Sequence, residues 1–261
     1  PDIDSLLPAG VPNMAFIAQP GDSISANVKL KTETFAVFGQ TTWHISERWR
    51  ITGGLRWTYE EKDADILTVV DSTALSAQFT GLSFLTAVTT PVDQDFSRST
   101  SDVNWLLDSS YDLFEQTMIY ARVATGSKSG GFNTVNGTPE EREFEDESTN
   151  SYELGIKSTV LQDRLRINAA AFYTEIDDYQ YQQQQDIGLG TLVSNLPEVE
   201  TSGIDVNLQA QPLPNLTLTG GVLYMHKYEI TEGPQKGDKL PFTAEYSATA
   251  SATLVFPLAN G

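Results

Sequence analysis

Few residues in this 261-residue chain have the types and spacing that chemistry requires. Cysteine is absent, which excludes a thiol nucleophile, a disulfide framework and a zinc knuckle. The two histidines, His44 and His226, stand 182 positions apart, and neither a Ser-His nucleophile motif nor a histidine-rich metal site can be assembled around them. Gly126-Ser-Lys-Ser-Gly-Gly131 superficially resembles a phosphate loop, but the order of a phosphate-binding motif is missing and no helix pattern follows. Glycines there suit a sharp exit from a strand into a loop. Carboxylates are plentiful, yet no spacing singles out a general acid and base. No enzyme, no cofactor and no resident metal are therefore expected. What remains is a binding chemistry. Tyr179, Tyr181, Gln182 and Gln183, in the stretch DDYQYQQQQ, can stack on and hydrogen-bond a sugar or a siderophore, although a solvated low-complexity loop has the same composition. Phe132 and Asn133, just past the glycine turn, join them as candidate ligand contacts.

Charge narrows the partners. The net charge is -19 and the isoelectric point about 4.3, which repels nucleic acid phosphates. Much of the acid lies in stretches that read as loops, such as EEREFEDE from Glu140 to Glu147. Such a run is ordinarily a solvated face; the sharper reading is cation binding among surface lipopolysaccharides. Acidic loops also disfavour a strongly anionic ligand, because like charge lowers encounter rates. Mean hydropathy is -0.26, a value shared by soluble proteins and by transmembrane barrels, in which only alternate residues must be apolar. No apolar run approaches the ~18 residues of a membrane helix. The chain opens on Pro1 without a signal peptide, so a fragment or processed piece of a longer exported protein is expected.

The elements that must position these residues announce themselves by period-two alternation. In residues 49–60, Trp49, Ile51, Leu55, Trp57 and Tyr59 share one face, while Arg50, Thr52, Arg56, Thr58 and Glu60 share the other. The pattern recurs and predicts nine strands, at 33–43, 49–61, 102–112, 117–126, 150–160, 164–177, 200–211, 215–228 and 243–256. Most are 10 to 14 residues long, against ~5–6 in ordinary globular strands and ~9–11 for a tilted membrane-crossing strand. Short turns at 44–48, 113–116, 161–163 and 212–214 alternate with long loops at 62–101, 127–149, 178–199 and 229–242. Short periplasmic turns and long extracellular loops are how outer-membrane barrels are built. With that polarity, Trp57, Tyr59, Trp105, Tyr152, Tyr173, Tyr224, Tyr228 and Tyr246 fall toward the outer strand ends, and Trp43, Trp49, Tyr111 and Phe256 toward the inner ends, as aromatic girdles do. Arg56, Arg122, Glu153 and Lys157 share the wet face. The expected fold is all-β: an antiparallel transmembrane β-barrel, partial because nine strands leave two open edges that lipid does not tolerate. Residues 1–32 are expected to be an extracellular loop or strand-leading segment, and 33–261 the partial barrel.

Four stretches resemble TonB-dependent outer-membrane receptors: ETFAVFGQTTWHISERWRITGGLRWTYEEKD (33–63), MIYARVATGSKSGGFN (118–133), NSYELGIKSTVLQDRLRINAAAFYTEIDDYQ (150–180) and VETSGIDVNLQAQPLPNLTLTGGVLY (199–224). They resemble the family's mid-barrel hairpins in order and spacing. One departure is Thr125, before Gly126, where the family commonly carries an arginine. The family's plug domain, energy-coupling box and terminal aromatic strand are not found in these residues. The resemblance implies active uptake of a scarce ligand, such as a ferric siderophore, powered by TonB acting through the plug. It further implies that Arg56, Arg122, Glu153 and Lys157 face the plug or a water-filled lumen, with salt bridges to the plug as the favoured role. The implied partners are outer-membrane lipid, the plug, TonB and the small-molecule ligand. Two other readings stay open at this point: a passive porin-like barrel and a soluble glycan-binding β-sandwich.

Overall fold

A computed structural model describes residues 23–71, 92–134, 141–184 and 191–256. Nine strands form one antiparallel sheet in the order β1 (Ser23–His44), β2 (Trp49–Asp71), β3 (Val92–Phe114), β4 (Thr117–Lys128), β7 (Glu147–Val160), β8 (Leu165–Gln184), β9 (Thr191–Leu213), β10 (Leu216–Ile230) and β11 (Tyr246–Leu254). A second, two-stranded sheet pairs β5 (Gly131–Phe132) with β6 (Glu143–Phe144) inside the connection from β4 to β7. Every neighbour in the large sheet is a neighbour in sequence once that connection is passed, so the sheet is a plain meander.

Eight of the nine strands run further at their outer ends than the alternation marks; β11 is the exception, spanning Tyr246–Leu254 where the alternation marks 243–256. β2 runs 12 residues past Tyr59, and β8 and β9 pair from Ser202 out to Gln184 and Thr191. Stretches that read as the loops 62–101 and 178–199 are thus partly strand. The physical reason is that these extensions stand above the bilayer with water on both faces, so the backbone pairs without an apolar stripe to mark it.

Pairing places residues of like parity on one side. Leu55, Trp57 and Tyr59 oppose Trp105, Val103 and Ser101, and Phe35 and Val37 lie on the same face. Exposed large side chains concentrate there: Leu154 is 63% exposed, Phe35 60%, Val103 57% and Val222 50%. A soluble protein rarely leaves a continuous apolar face of that extent uncovered. Among the described residues no second sheet is stacked on it. The face is the lipid surface of the barrel wall. Two of its indoles find partners within the wall, Trp49 Nε1 donating to Ser109 Oγ and Trp57 Nε1 to Ser101 Oγ, each at 3.0 Å.

The outer girdle records the tilt of the strands. Trp57 pairs with Val103, yet the next ring, Trp105, lies two residues nearer the short turns. Carried through Ala124 and Ser151, the register sets Trp105 level with Asn150, and Tyr152 again lies two residues nearer the turns. Tyr152 pairs with Tyr173 and Tyr173 with Ser202, whereas Tyr224 pairs with Ile204, two residues nearer once more. Six residues of drop over the six steps from β2 to β10 amount to about 20 Å along the strands against about 29 Å across them, a tilt of ~35°. Outer-membrane barrels tilt by ~35–45°. At that tilt the span from Trp49 to Trp57 rises about 22 Å, close to the ~25 Å apolar band of such barrels.

Candidate functional site

The opposite face of the sheet carries the polar residues. At mid-height Arg56, Asn104, Arg122 and Glu153 lie on it, and Arg122 pairs in register with Glu153. Arg122 Nε also donates to Asp108 Oδ2 at 3.2 Å. Tyr120 is buried, with the Lys157 ammonium 5.0 Å and the Arg122 guanidinium 5.9 Å from its ring centroid. It lies so flat on β7 because residue 155 is glycine: a Cβ there would sit 2.5 Å from the ring. Nearer the short turns, Arg50 makes a bidentate pair with Asp112 at 2.6 and 2.7 Å. Arg56 donates to Thr58 Oγ1 at 3.1 Å and covers the Phe38 ring at 5.9 Å. The four residues assigned to the wet face thus line the inner side together.

Above the outer girdle, residues 129–134 and 141–146 are tied to strands on both flanks. On one flank Lys62 Nζ donates to Ser129 Oγ at 2.5 Å and to the Gly130 carbonyl at 2.7 Å, and the Ser129 hydroxyl donates to Glu60. Arg98, its side chain only 8% exposed, donates to the Phe144 carbonyl at 2.6 Å, to Asp146 at 2.9 Å and to Glu143 at 3.2 Å. Its Nε has no hydrogen-bond partner among the described residues. On the other flank, Gln180 Nε2 donates to the carbonyls of Lys128, Ser129 and Glu145 at 3.0 to 3.2 Å. Asn195 Nδ2 donates to the Glu145 and Asp178 carbonyls, and its Oδ1 accepts from Glu145 N–H.

The six candidate ligand residues gather at this outer end, most of them engaged with the protein itself. Asn133 is buried and its amide exchanges two hydrogen bonds with Val193. Phe132 packs on Phe96 with ring centroids 5.5 Å apart. Tyr179 and Tyr181 pack on a cluster of Leu196, Val199, Met225, Tyr228, Ile230 and Leu240. Burial there pushes the Tyr179 hydroxyl above its ordinary range. Ile176, of the opposite parity, packs against the same group, and Asp178 between them adopts a φ of 52°. Gln182 is exposed and donates to Thr191 Oγ1 at 2.9 Å, and Gln183 pairs with Leu192 in register. Gln180, Asn195, Arg98 and Asp146, which hold this region, were not apparent from the sequence. Gln180 is hidden inside a glutamine-rich run, Arg98 and Asn195 lie in polar strand with no apolar stripe beside them, and Asp146 lies in the acidic run between β6 and β7.

One donor set for a hard cation exists on the outward face: carboxylate oxygens of Glu175, Asp177 and Glu198 all lie within 4.8 Å of one another. Close by, Lys227 pairs with Glu200 at 2.7 Å. That pairing holds the Glu200 carboxyl below the ordinary carboxylate range.

The family described as TonB dependent receptor-like, beta-barrel, matches residues 8–260. The chain belongs to the TonB-dependent receptor β-barrel family. Similar relatives of known function include the pesticin receptor of Yersinia enterocolitica, 24% identical over 256 residues covering 96% of this chain and 33% of the relative. Another is the catecholate siderophore receptor Fiu of Escherichia coli K12, 27% identical over 86% of this chain and 30% of the relative. Among solved structures, the ferric yersiniabactin uptake receptor FyuA from Yersinia pestis superposes with a TM-score of 0.72 at 22% identity, covering 91% of this chain and 34% of that one. The closed form of Fiu gives 0.65 at 25% identity, covering 88% and 33%. The chain spans about a third of the length of the relatives it matches. Membership in this TonB-dependent receptor family places the wall in the outer membrane.

Proposed function

We propose that this chain forms about a third of a receptor that imports a scarce ligand across the outer membrane, a ferric siderophore or similar complex, with energy delivered by TonB through a plug domain seated in the barrel. The observation that carries this reading is the continuous family match over residues 8–260, together with curated relatives that are siderophore-type receptors. The wall contributes in three ways. Its outward rings hold it at the two headgroup levels. Its inner charges, Arg56, Arg122, Glu153 and Lys157, offer ion pairs to the plug. Its outer hairpins, with Tyr179, Tyr181, Gln182, Gln183, Phe132 and Asn133, shape the mouth that the ligand enters. Several of these side chains are committed to internal contacts, and in this reading their part is to set the form of the mouth while Gln182 and Gln183 touch the cargo.

The test is growth of a strain lacking the gene, under iron limitation, with ferric catecholate or yersiniabactin-type complexes as sole iron source. Loss of growth on one complex, restored by the gene and abolished again when TonB is deleted, is the expected result. Growth that is independent of TonB would favour a passive pore instead.

A further inference from the structure

β7, β8 and β9 are each paired on both edges, so the shape of their outward face does not depend on the open ends of the sheet. Two hollows lie on that face along β8. The first, of about 620 Å³, sits at the short turn from β7 to β8 and is bordered by Leu161, Gln162, Arg164, Leu165, Ala210 and Pro212. Leu161, Gln162 and Asp163 are left-handed in succession, with φ of 56°, 57° and 66°, and none is glycine. That conformation is costly for residues that carry a Cβ. In it Leu161, 68% exposed, borders the same hollow as Arg164. Arg164 bonds through its backbone, its N–H donating to the Leu161 carbonyl and its own carbonyl accepting from Gln211 N–H. Its guanidinium has no hydrogen bond or ion pair among the described residues. The adjacent carboxylate, Asp163, accepts instead from Gln116 Nε2 at 2.7 Å.

The second hollow, of about 420 Å³, lies further along β8 and is lined by apolar residues alone. Ala169 and Ala171 form its floor, and larger side chains stand on both neighbouring strands: Ile156 and Val206 beside Ala169, Leu154 and Ile204 beside Ala171. Between the two hollows Ile167 pairs with Ser158, a residue small enough to leave the trough open on that side. From Leu165 to the middle of the second hollow is about 17 Å along the strand, or ~14 Å along the membrane normal at a tilt of ~35°. Half of the ~25 Å apolar band is ~12 Å. The two hollows are therefore about one leaflet apart, the first at headgroup depth and the second near the midplane.

We propose that this trough seats one phospholipid of the periplasmic leaflet, its phosphate diester on the Arg164 guanidinium and one acyl chain laid along β8 with its end over Ala169 and Ala171. Charge complementarity selects the phosphate: the rim holds an unpaired, forked cation at the depth where phosphate diesters are the abundant anion. Length selects the leaflet, because a chain that starts at Arg164 ends where the alanine hollow lies, whereas lipid of the outer leaflet carries its phosphates at the far ends of the strands. The inference needs the wall's place in the outer membrane and is independent of the cargo.

The experiment extracts the full-length receptor from outer membranes into mild detergent and counts its bound lipids by native mass spectrometry. The expected result is one retained diacyl phospholipid per receptor. Arg164→Gln should lower the retained fraction about fivefold, the scale of one exposed ion pair. Ala171→Phe, which fills the deep end, should lower it at least as far, and Ala171→Leu serves in its place if the larger ring prevents folding, as read by the heat shift on gels. Arg166→Gln, on the inward face opposite Gln209, should leave retention unchanged. Several lipids whose number no substitution alters mark ordinary boundary lipid and overturn the seat. Loss of equal size with Arg166→Gln, lipopolysaccharide in place of phospholipid, or no retained lipid at all overturns it too.

Discussion

Asn133 and Val193, 60 residues apart, pair as two strands would: the Asn133 amide donates to the Val193 carbonyl at 2.8 Å, and its oxygen accepts from the Val193 N–H at 2.9 Å. One side chain thus replaces a length of backbone and joins the β4–β7 connection to β9. Asn133→Ala leaves a buried donor and acceptor unmet, at ~1–3 kcal/mol of local stability. Amides of residues 129–134 and 141–146 should exchange about tenfold faster or more by hydrogen-exchange mass spectrometry, with those of the membrane-spanning strands unchanged. Asn133→Asp should behave like the alanine variant, since a carboxylate cannot donate to Val193.

The same connection should loosen in acid. Past the outer girdle, the Ser129 hydroxyl and then the Lys62 ammonium hold the Glu60 carboxyl below the ordinary carboxylate range. A carboxyl whose folded value lies below its unfolded ~4.3 stabilises fully above that value and loses its contribution as pH falls through the lowered one. Exchange in residues 129–133, corrected for intrinsic rates, is expected to be flat from neutral pH to about 5 and to accelerate toward pH 3. Glu60→Gln should abolish that acid step.

Where lipid touched one side of a strand, sequence and structure agree closely. Trp49 to Tyr59 and Tyr152 to Val160 alternate because oil lies on one face and water on the other, and both segments fall within the paired strands. The polar extension from Glu61 to Asp71 carries no such contrast, so it reads as loop although it is strand. Asp178 shows the other limit. On either side of it Ile176 and then Tyr179 and Tyr181 pack on one buried cluster, and no spacing rule foretells such a change of parity. Gln180, which holds three carbonyls, is one of several glutamines in its run and is distinguished from its neighbours only by where the strand aims it.

Gly155 should not tolerate a side chain. A Cβ would lie 2.5 Å from the Tyr120 ring, below any real contact distance, so the ring must leave its place under Lys157 and Arg122. Gly155→Ala is expected to lower stability by ~1–3 kcal/mol, the usual range for overpacking. Gel-shift heat denaturation of the folded barrel measures it. Tyr120→Ala in the same chain should recover part of the loss, since the clash needs both side chains.

Ile156 lies midway between Tyr152 and Val160 on the outward face. Ile156→Arg should cost ~2–4 kcal/mol near the bilayer midplane. Its neighbour Lys157 already carries charge on the inner side, so Lys157→Arg should cost well under 1 kcal/mol, in line with ordinary solvated substitutions. Urea unfolding in lipid vesicles compares the two.

The account depends on a wall with oil on one side and an aqueous interior on the other. Because the chain has no cysteine, single cysteines can be placed one by one from Ser151 to Lys157, leaving out Gly155, spin-labelled, and scored in lipid vesicles for collision with oxygen and with a water-soluble nickel chelate. Oxygen contact is predicted to peak at Tyr152, Leu154 and Ile156, and nickel contact at Ser151, Glu153 and Lys157. Equal exposure to both reagents at every position, or alternation of the opposite phase, would contradict it.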